Sequence, residues 1–172
     1  DPLDFHAIEV AANLIGSGKK TALMLGGRAL RGHGLTKAAR IATVSGCDLL
    51  TETFPGCVER GLGLPDVARV PYFPEPAREL LSRYELVILA DVREPVTFFG
   101  YPGTNSYLLG KEQQQMVLCA QGQDVIDALG FLEDILKTVI PAKEQGHYLP
   151  TPKKPQLPRG TLTAEKACQV LA

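Results

Sequence analysis

The sequence predicts an α/β protein. The expected architecture is a doubly wound, Rossmann-like, mainly parallel sheet of about five or six strands with helices on both faces. Three observations predict it. The run Thr21-Ala22-Leu23-Met24-Leu25 is apolar or small throughout and stops at Gly26-Gly27, as a strand buried on both faces does where it turns at its carboxyl end. Leu86-Val87-Ile88-Leu89-Ala90 repeats that pattern and ends at Asp91. Around these runs, helical and strand-like periodicities alternate along the chain.

Phe5, Ile8, Ala12 and Ile15 recur at helical spacing, with Asp4 as N-cap and Gly16 and Gly18 as the stop. The first strand follows at 21–25. A glycine-rich loop over 26–34 carries Arg28, Arg31 and His33. Leu35, Ala38, Ala39, Ile41 and Ala42 then form the inward face of a helix over about 35–45, closed by Gly46. Residues 48–53 read as a second strand and Val67–Val70 as a weak third. Pro74-Glu75-Pro76 opens a helix to about Tyr84 that buries Ala77, Leu80 and Leu81. Leu86–Ala90 is the fourth strand. Residues 92–110 form a long loop rich in Gly, Pro and rings (Phe98, Phe99, Tyr101, Tyr107), and loops of that length in a compact domain are usually functional or packing surfaces. Residues 116–120 are a fifth strand. Asp124 caps a helix to about 138 with Val125, Ile126, Leu129, Leu132, Ile135 and Leu136 inward.

Beyond this the texture changes. Pro141, Pro150, Pro152, Pro155 and Pro158 make residues 141–160 an extended linker. Thr163 caps a new helix with Ala164, Ala167, Cys168 and Leu171 at helical spacing. The expectation is an α/β domain over 1–140, a linker over 141–160, and the start of a further domain over 161–172, so that the chain is a fragment.

Charge and composition narrow the class. With 172 residues, 45% of them hydrophobic and 22% charged, the chain can bury one substantial core. A net charge of −1 provides no electrostatic footprint for nucleic acid or an anionic membrane. No apolar run approaches the ~20 residues of a membrane span, and no signal peptide is visible. The four cysteines form no CxxC, which fits reduced thiols in a cytoplasmic protein.

The motifs are sparse. Gly16-Ser17-Gly18-Lys19-Lys20-Thr21 resembles part of a P-loop but precedes a strand instead of following one, and Asn13 and Lys20 break the pattern. The loop after the first strand lacks G-x-G-x-x-G spacing. Its backbone amides and Arg28 could receive the phosphate of a nucleotide or of CoA, or it is a plain turn with solvated arginines. Asp91 and Arg93, past the fourth strand, could hold a ribose or phosphate in the same crevice, or form a loop cap and a surface ion pair. Cofactor-binding candidates are therefore Gly26, Gly27, Arg28, Asp91 and Arg93. His6, His33 and His147 are scattered, so no metal site is expected. Ser45 lacks a nucleophile elbow, Cys57 has no nearby base, and no catalytic residue is assigned.

The order of several segments resembles the central domain of thiamine-diphosphate-dependent enzymes of the acetolactate synthase and benzoylformate decarboxylase group. These are Ala22–Gly27 with the helix after it, Thr51–Pro55 with Glu59-Arg60-Gly61, Arg69–Glu75, Asp91–Val96 leading to Phe99–Gly103, and Leu162–Glu165. The resemblance implies three α/β domains in the parent, with thiamine diphosphate and Mg²⁺ bound by the outer two. The sequence contains no Gly-Asp-Gly, so that cofactor site lies elsewhere. It further implies a non-catalytic middle domain that packs against the N- and C-terminal domains of the same chain within a homo-oligomer. Relatives use this domain to bind FAD, an adenine nucleotide, or nothing. Arg28 stands where FAD-binding members have a third glycine, and a Met-Gly-rich segment is absent, which weighs against FAD. The parent would be a decarboxylase or carboligase (a lyase or transferase) acting on 2-keto acids. The rival is a free-standing NAD- or nucleotide-binding enzyme or sensor.

Overall fold

A computed structural model describes residues 2–100, 102–140 and 156–171. Five parallel strands form one sheet in the order β3-β2-β1-β4-β5. They are β1 (Thr21–Leu25), β2 (Asp48–Thr51), β3 (Ala68–Arg69), β4 (Leu86–Ala90) and β5 (Gln114–Cys119). The sheet is thus entirely parallel, and the order reverses between β1 and β4. That reversal opens a crevice at the carboxyl ends of these two strands.

The helices are α1 (Phe5–Gly16), α2 (Gly32–Ser45), α3 (Pro74–Leu81), α4 (Val125–Val139) and α5 (Ala164–Leu171). One buried cluster joins α1, α2 and α4 to Leu23, Leu25, Leu86 and Ile88. A second, on the opposite face, joins α3 to Met24, Leu50, Val87 and Leu89. β1 and β4 are buried at every position, because helices cover both faces of the sheet centre. Caps agree with the sequence: Asp4 accepts from Ala7 N–H, Asp124 from Ile126 and Asp127 N–H, and Gly46 ends α2 at φ +73°. Thr163 Oγ1 accepts from Lys166 N–H at the start of α5.

Several expectations need correction. α2 starts at Gly32, three residues before Leu35, and a short 3-10 helix occupies Gly27–Leu30 where a loop was expected. β2 stops at Thr51, and β3 holds only two residues at the sheet edge. α3 ends at Leu81, short of Tyr84, with Leu80 only half-buried. On α4, Ala128 and Glu133 are buried while Ile126 and Ile135 are half-buried. Glu133 tolerates this position through Lys137 Nζ at 2.6 Å and Arg40 of α2 at 3.9 Å. Phe5 lies outside the core, edge-on to Phe131. As expected of a loop, the described residues of 92–110 hold no regular element, only an isolated bridge between Val96 and Tyr107. Tyr101 and the linker positions 141–155 lie outside the described residues.

Candidate functional site

The crevice is built from the ends of β1 and β4. Gly26 N–H donates to Ala90 O at 2.9 Å, which carries the β1–β4 ladder one step past the end of β1. Asp91 then turns back at φ +56°, a left-handed conformation that Asp tolerates better than most residues. Its N–H donates to Cys119 O at the end of β5.

That turn sets Asp91 against the glycines. A Cβ on Gly26 would stand 2.2 Å from Asp91 O, and one on Gly27 would stand 2.0 Å from Asp91 Oδ2. The carboxylate accepts the Arg28 N–H at 3.1 Å, at the start of the 3-10 helix. The glycine pair is therefore required by the chain's own aspartate. An anion already sits where a ligand phosphate was expected.

The same happens at α2. Glu59 Oε2 accepts the Gly32 N–H at 2.6 Å, and Glu59 N–H donates to Leu30 O at 3.0 Å. A carboxylate here is favoured by the positive end of the helix. The Arg31 guanidinium lies 3.7 Å from Glu59, and Arg28 lies 3.5 Å from Asp124 at the α4 cap. The Asp127 N–H holds the Asp124 carboxyl below its ordinary value; partial desolvation opposes this, and Arg28 adds to it. A hollow of about 470 Å³ remains, lined by Gly27, Arg28, Arg31, Gly56, Cys57 and Asp91.

Gly26, Gly27, Arg28 and Asp91 thus meet as a single cluster. Arg93 does not join it: its Nε donates to Gln121 Oε1 at 3.1 Å, and the residue lines a second hollow. That hollow, of about 350 Å³, has Met24, Val70 and Leu108 among its buried lining, Phe54 and Phe98 as exposed walls, and Glu52, Arg93 and Glu94 as its charged members. Sequence reasoning missed Glu59 as an anion over α2 and the convergence of Phe54 and Tyr72 on the 98–99 rings. The signal for Glu59 is tertiary, since it depends on a loop folding back over Gly32.

Two of the thiols are poor nucleophiles. Burial pushes the Cys47 and Cys119 thiols up to about 11, helped in Cys119 by the nearby Asp91 and Asp124 carboxylates. Among the described residues no group of three or more His, Cys, Asp or Glu could hold a metal ion. Among them, too, no helix is long and apolar enough to cross a membrane.

Comparison with known proteins adds relatives. No protein-family model matches the chain. A Mycobacterium tuberculosis protein named "Putative acetolactate synthase large subunit IlvX" is 41% identical over 160 residues, covering 93% of this chain and 30% of that protein. Among solved structures, a Mycobacterium smegmatis protein described as "a putative thiamin diphosphate-dependent enzyme" aligns with a TM-score of 0.61 at 18% identity, over 89% of this chain and 31% of that one. The thiamine diphosphate-dependent 4-hydroxybenzoylformate decarboxylase of Rhodococcus jostii RHA1 aligns with a TM-score of 0.59 at 14% identity, over 92% and 32%. The two structures share the fold. In every case this chain spans about a third of its relative's length.

Proposed function

As a relative, over 93% of its length, of an acetolactate synthase large subunit-like protein, this chain is, we propose, a non-catalytic scaffold domain of a thiamine-diphosphate-dependent enzyme acting on 2-keto acids. The parent is read as a decarboxylase or carboligase whose thiamine diphosphate and Mg²⁺ are held by other domains of the same chain. On this reading residues 1–140 are the central domain, 141–160 the linker and 161–172 the opening of the next domain. When bound elsewhere in the parent, the cofactor supplies the reactive carbanion chemistry. This chain's residues contribute a rigid parallel sheet and its loops.

One observation carries the scaffold reading. The backbone donors expected to greet a ligand phosphate, the N–H groups of Arg28 and Gly32, already serve the carboxylates of Asp91 and Glu59. A nucleotide would have to displace both anions and leave two glycine contacts with nothing to face. The second reading, a nucleotide-binding protein, draws on the 470 Å³ hollow and on Arg28 and Arg31, whose side chains remain 65% and 53% exposed.

Thermal unfolding with and without FAD, ADP, NAD⁺ and CoA separates the two. A ligand binding only the folded state at ~100 times its Kd adds about 2.7 kcal/mol, and the scaffold reading expects no shift with any of the four. A clear rise with one of them, lost in Arg28→Ala, overturns it in favour of a nucleotide site. The same reading expects the purified chain, given thiamine diphosphate and Mg²⁺, to leave pyruvate and benzoylformate unchanged.

A further inference from the structure

We propose that the hollow beside Phe54 is a site for a free α-amino acid with an aromatic side chain. Three kinds of group surround its 350 Å³: an apolar floor, a wall of rings, and charges of both signs. An aromatic α-amino acid carries the counterpart of each.

The floor and the wall are already formed. Met24, Val70 and Leu108 are buried beneath the hollow, and Phe54 and Phe98 stand exposed at its side. These two rings lie edge to face with centroids 5.2 Å apart, and Tyr72 packs on both, at 5.7 and 5.9 Å. The segment that carries Phe98 is pinned by its backbone. Thr97 N–H donates to Ser106 O at 2.8 Å, and Leu108 N–H donates to Pro95 O at 3.1 Å. A ligand therefore orders little side chain when it enters. A further ring placed edge-on to Phe54 and Phe98 extends the cluster in its preferred geometry.

The polar groups select the rest of the ligand. Both hydroxyls lining the hollow are engaged by the chain's own carbonyls. Thr97 Oγ1 donates to Phe99 O at 2.8 Å and Thr53 Oγ1 to Pro71 O at 3.5 Å. What remains is charge. Arg93 donates through Nε to Gln121, and among the described residues its other guanidinium N–H groups meet no acceptor. Among the same residues neither Glu52 nor Glu94 has a cation within 4.0 Å, although Glu94 is half-buried. A half-buried carboxylate without a partner gains from a cation brought from outside. The ammonium of an amino acid suits Glu52 and Glu94, and its carboxylate suits the forked guanidinium of Arg93. The proposal stands apart from the scaffold reading. The hollow shares no lining residue with the 470 Å³ one at the glycine turn, so either can be filled while the other is empty.

Equilibrium dialysis of the 172-residue chain against L-phenylalanine tests it. The expected dissociation constant is on the order of 0.1 mM, the range open to so small a ligand. Arg93→Ala should weaken binding at least about tenfold, with circular dichroism unchanged. Glu52→Gln combined with Glu94→Gln should do the same. The glutamines keep the shape of the glutamates, so the test survives if removing the arginine disturbs folding. Phenethylamine, which lacks the carboxylate, and 3-phenylpropanoate, which lacks the ammonium, should each bind at least about tenfold more weakly than L-phenylalanine. L-leucine, equal in charge but without a ring, should bind several-fold more weakly. A chain that takes up no L-phenylalanine at roughly 100 times the expected constant overturns the proposal. Binding that is indifferent to the arginine and glutamate changes, or equal for phenethylamine, 3-phenylpropanoate or L-leucine, overturns it as well.

Discussion

The glycine turn after β1 and the hollow beside Phe54 lie along the same carboxyl edge of the sheet. In the turn, Asp91 reaches back over Gly26 and Gly27 and takes the Arg28 N–H, and Glu59 takes the Gly32 N–H. In the hollow, the exposed rings of Phe54 and Phe98 stand over the buried Met24, Val70 and Leu108. In the first region the backbone donors are met by the chain's own carboxylates, whereas in the second the rings stand exposed. Position at the end of a parallel strand therefore does not by itself make a binding site. The deciding question is whether the local donors and apolar surface are already satisfied.

The sharpest way to break this contrast is at Gly27. If Asp91 is what demands the glycine, Gly27→Ala should destabilise the chain by about 3 kcal/mol, through a methyl forced onto a carboxylate at a positive φ. Thermal unfolding should fall by roughly 6–12 °C for a chain of this size. Asp91→Gly relieves the clash and also suits φ +56°, although it gives up the bond to Arg28 N–H. The double variant should therefore be more stable than the sum of the two single effects predicts, with a coupling above about 1 kcal/mol. Additive losses would mean that the turn is closed by something other than Asp91.

Parts of this were legible in the sequence and parts were not, for physical reasons. β1 and β4 could be read because burial on both faces leaves an unbroken apolar run. Asp124 and Gly46 could be read because caps are local chemistry. The start of α2 could not: Gly32-His33-Gly34 has poor helix propensity, and the turn is held by a carboxylate from a distant loop. Gly34 is also held by tertiary packing, since a Cβ there would stand 2.5 Å from Ala29 O. The structure brings Gly26, Gly27, Arg28 and Asp91 together at the ends of β1 and β4, but composition cannot say that Asp91 turns inward at φ +56°. Arg93 stands apart from them because two residues of loop suffice to turn its side chain toward Gln121, just beyond β5.

Thiol chemistry sharpens the contrast from the other side. Cys119 lies under the closed turn, where its carbonyl receives the Asp91 N–H, and burial lifts its thiol from 9.0 to about 11. Near pH 8 that reduces its thiolate by about a hundredfold against an ordinary thiol. Cys57 is exposed at the rim of the same turn. Alkylation by iodoacetamide followed by mass spectrometry should mark Cys57 rapidly and Cys119 only on unfolding. Rapid native labelling of Cys119 would show that the closed region opens.

The smallest expected effect concerns Asp124, which ties the turn to α4. Its carboxyl is held below 3.8, first by the Asp127 N–H and then by Arg28, against the opposing effect of desolvation. A depressed folded value means that the carboxylate's contribution is complete above the unfolded value and is lost as pH falls through the folded one. Stability should therefore decline with acid below about pH 4, and Asp124→Asn should flatten that part of the profile while leaving neutral-pH stability slightly lower. The amide still caps α4 but no longer attracts Arg28. The residual slope then reports what other groups contribute below that pH, and an unchanged profile would mean that the Arg28–Asp124 contact at 3.5 Å is not what fastens the turn to α4.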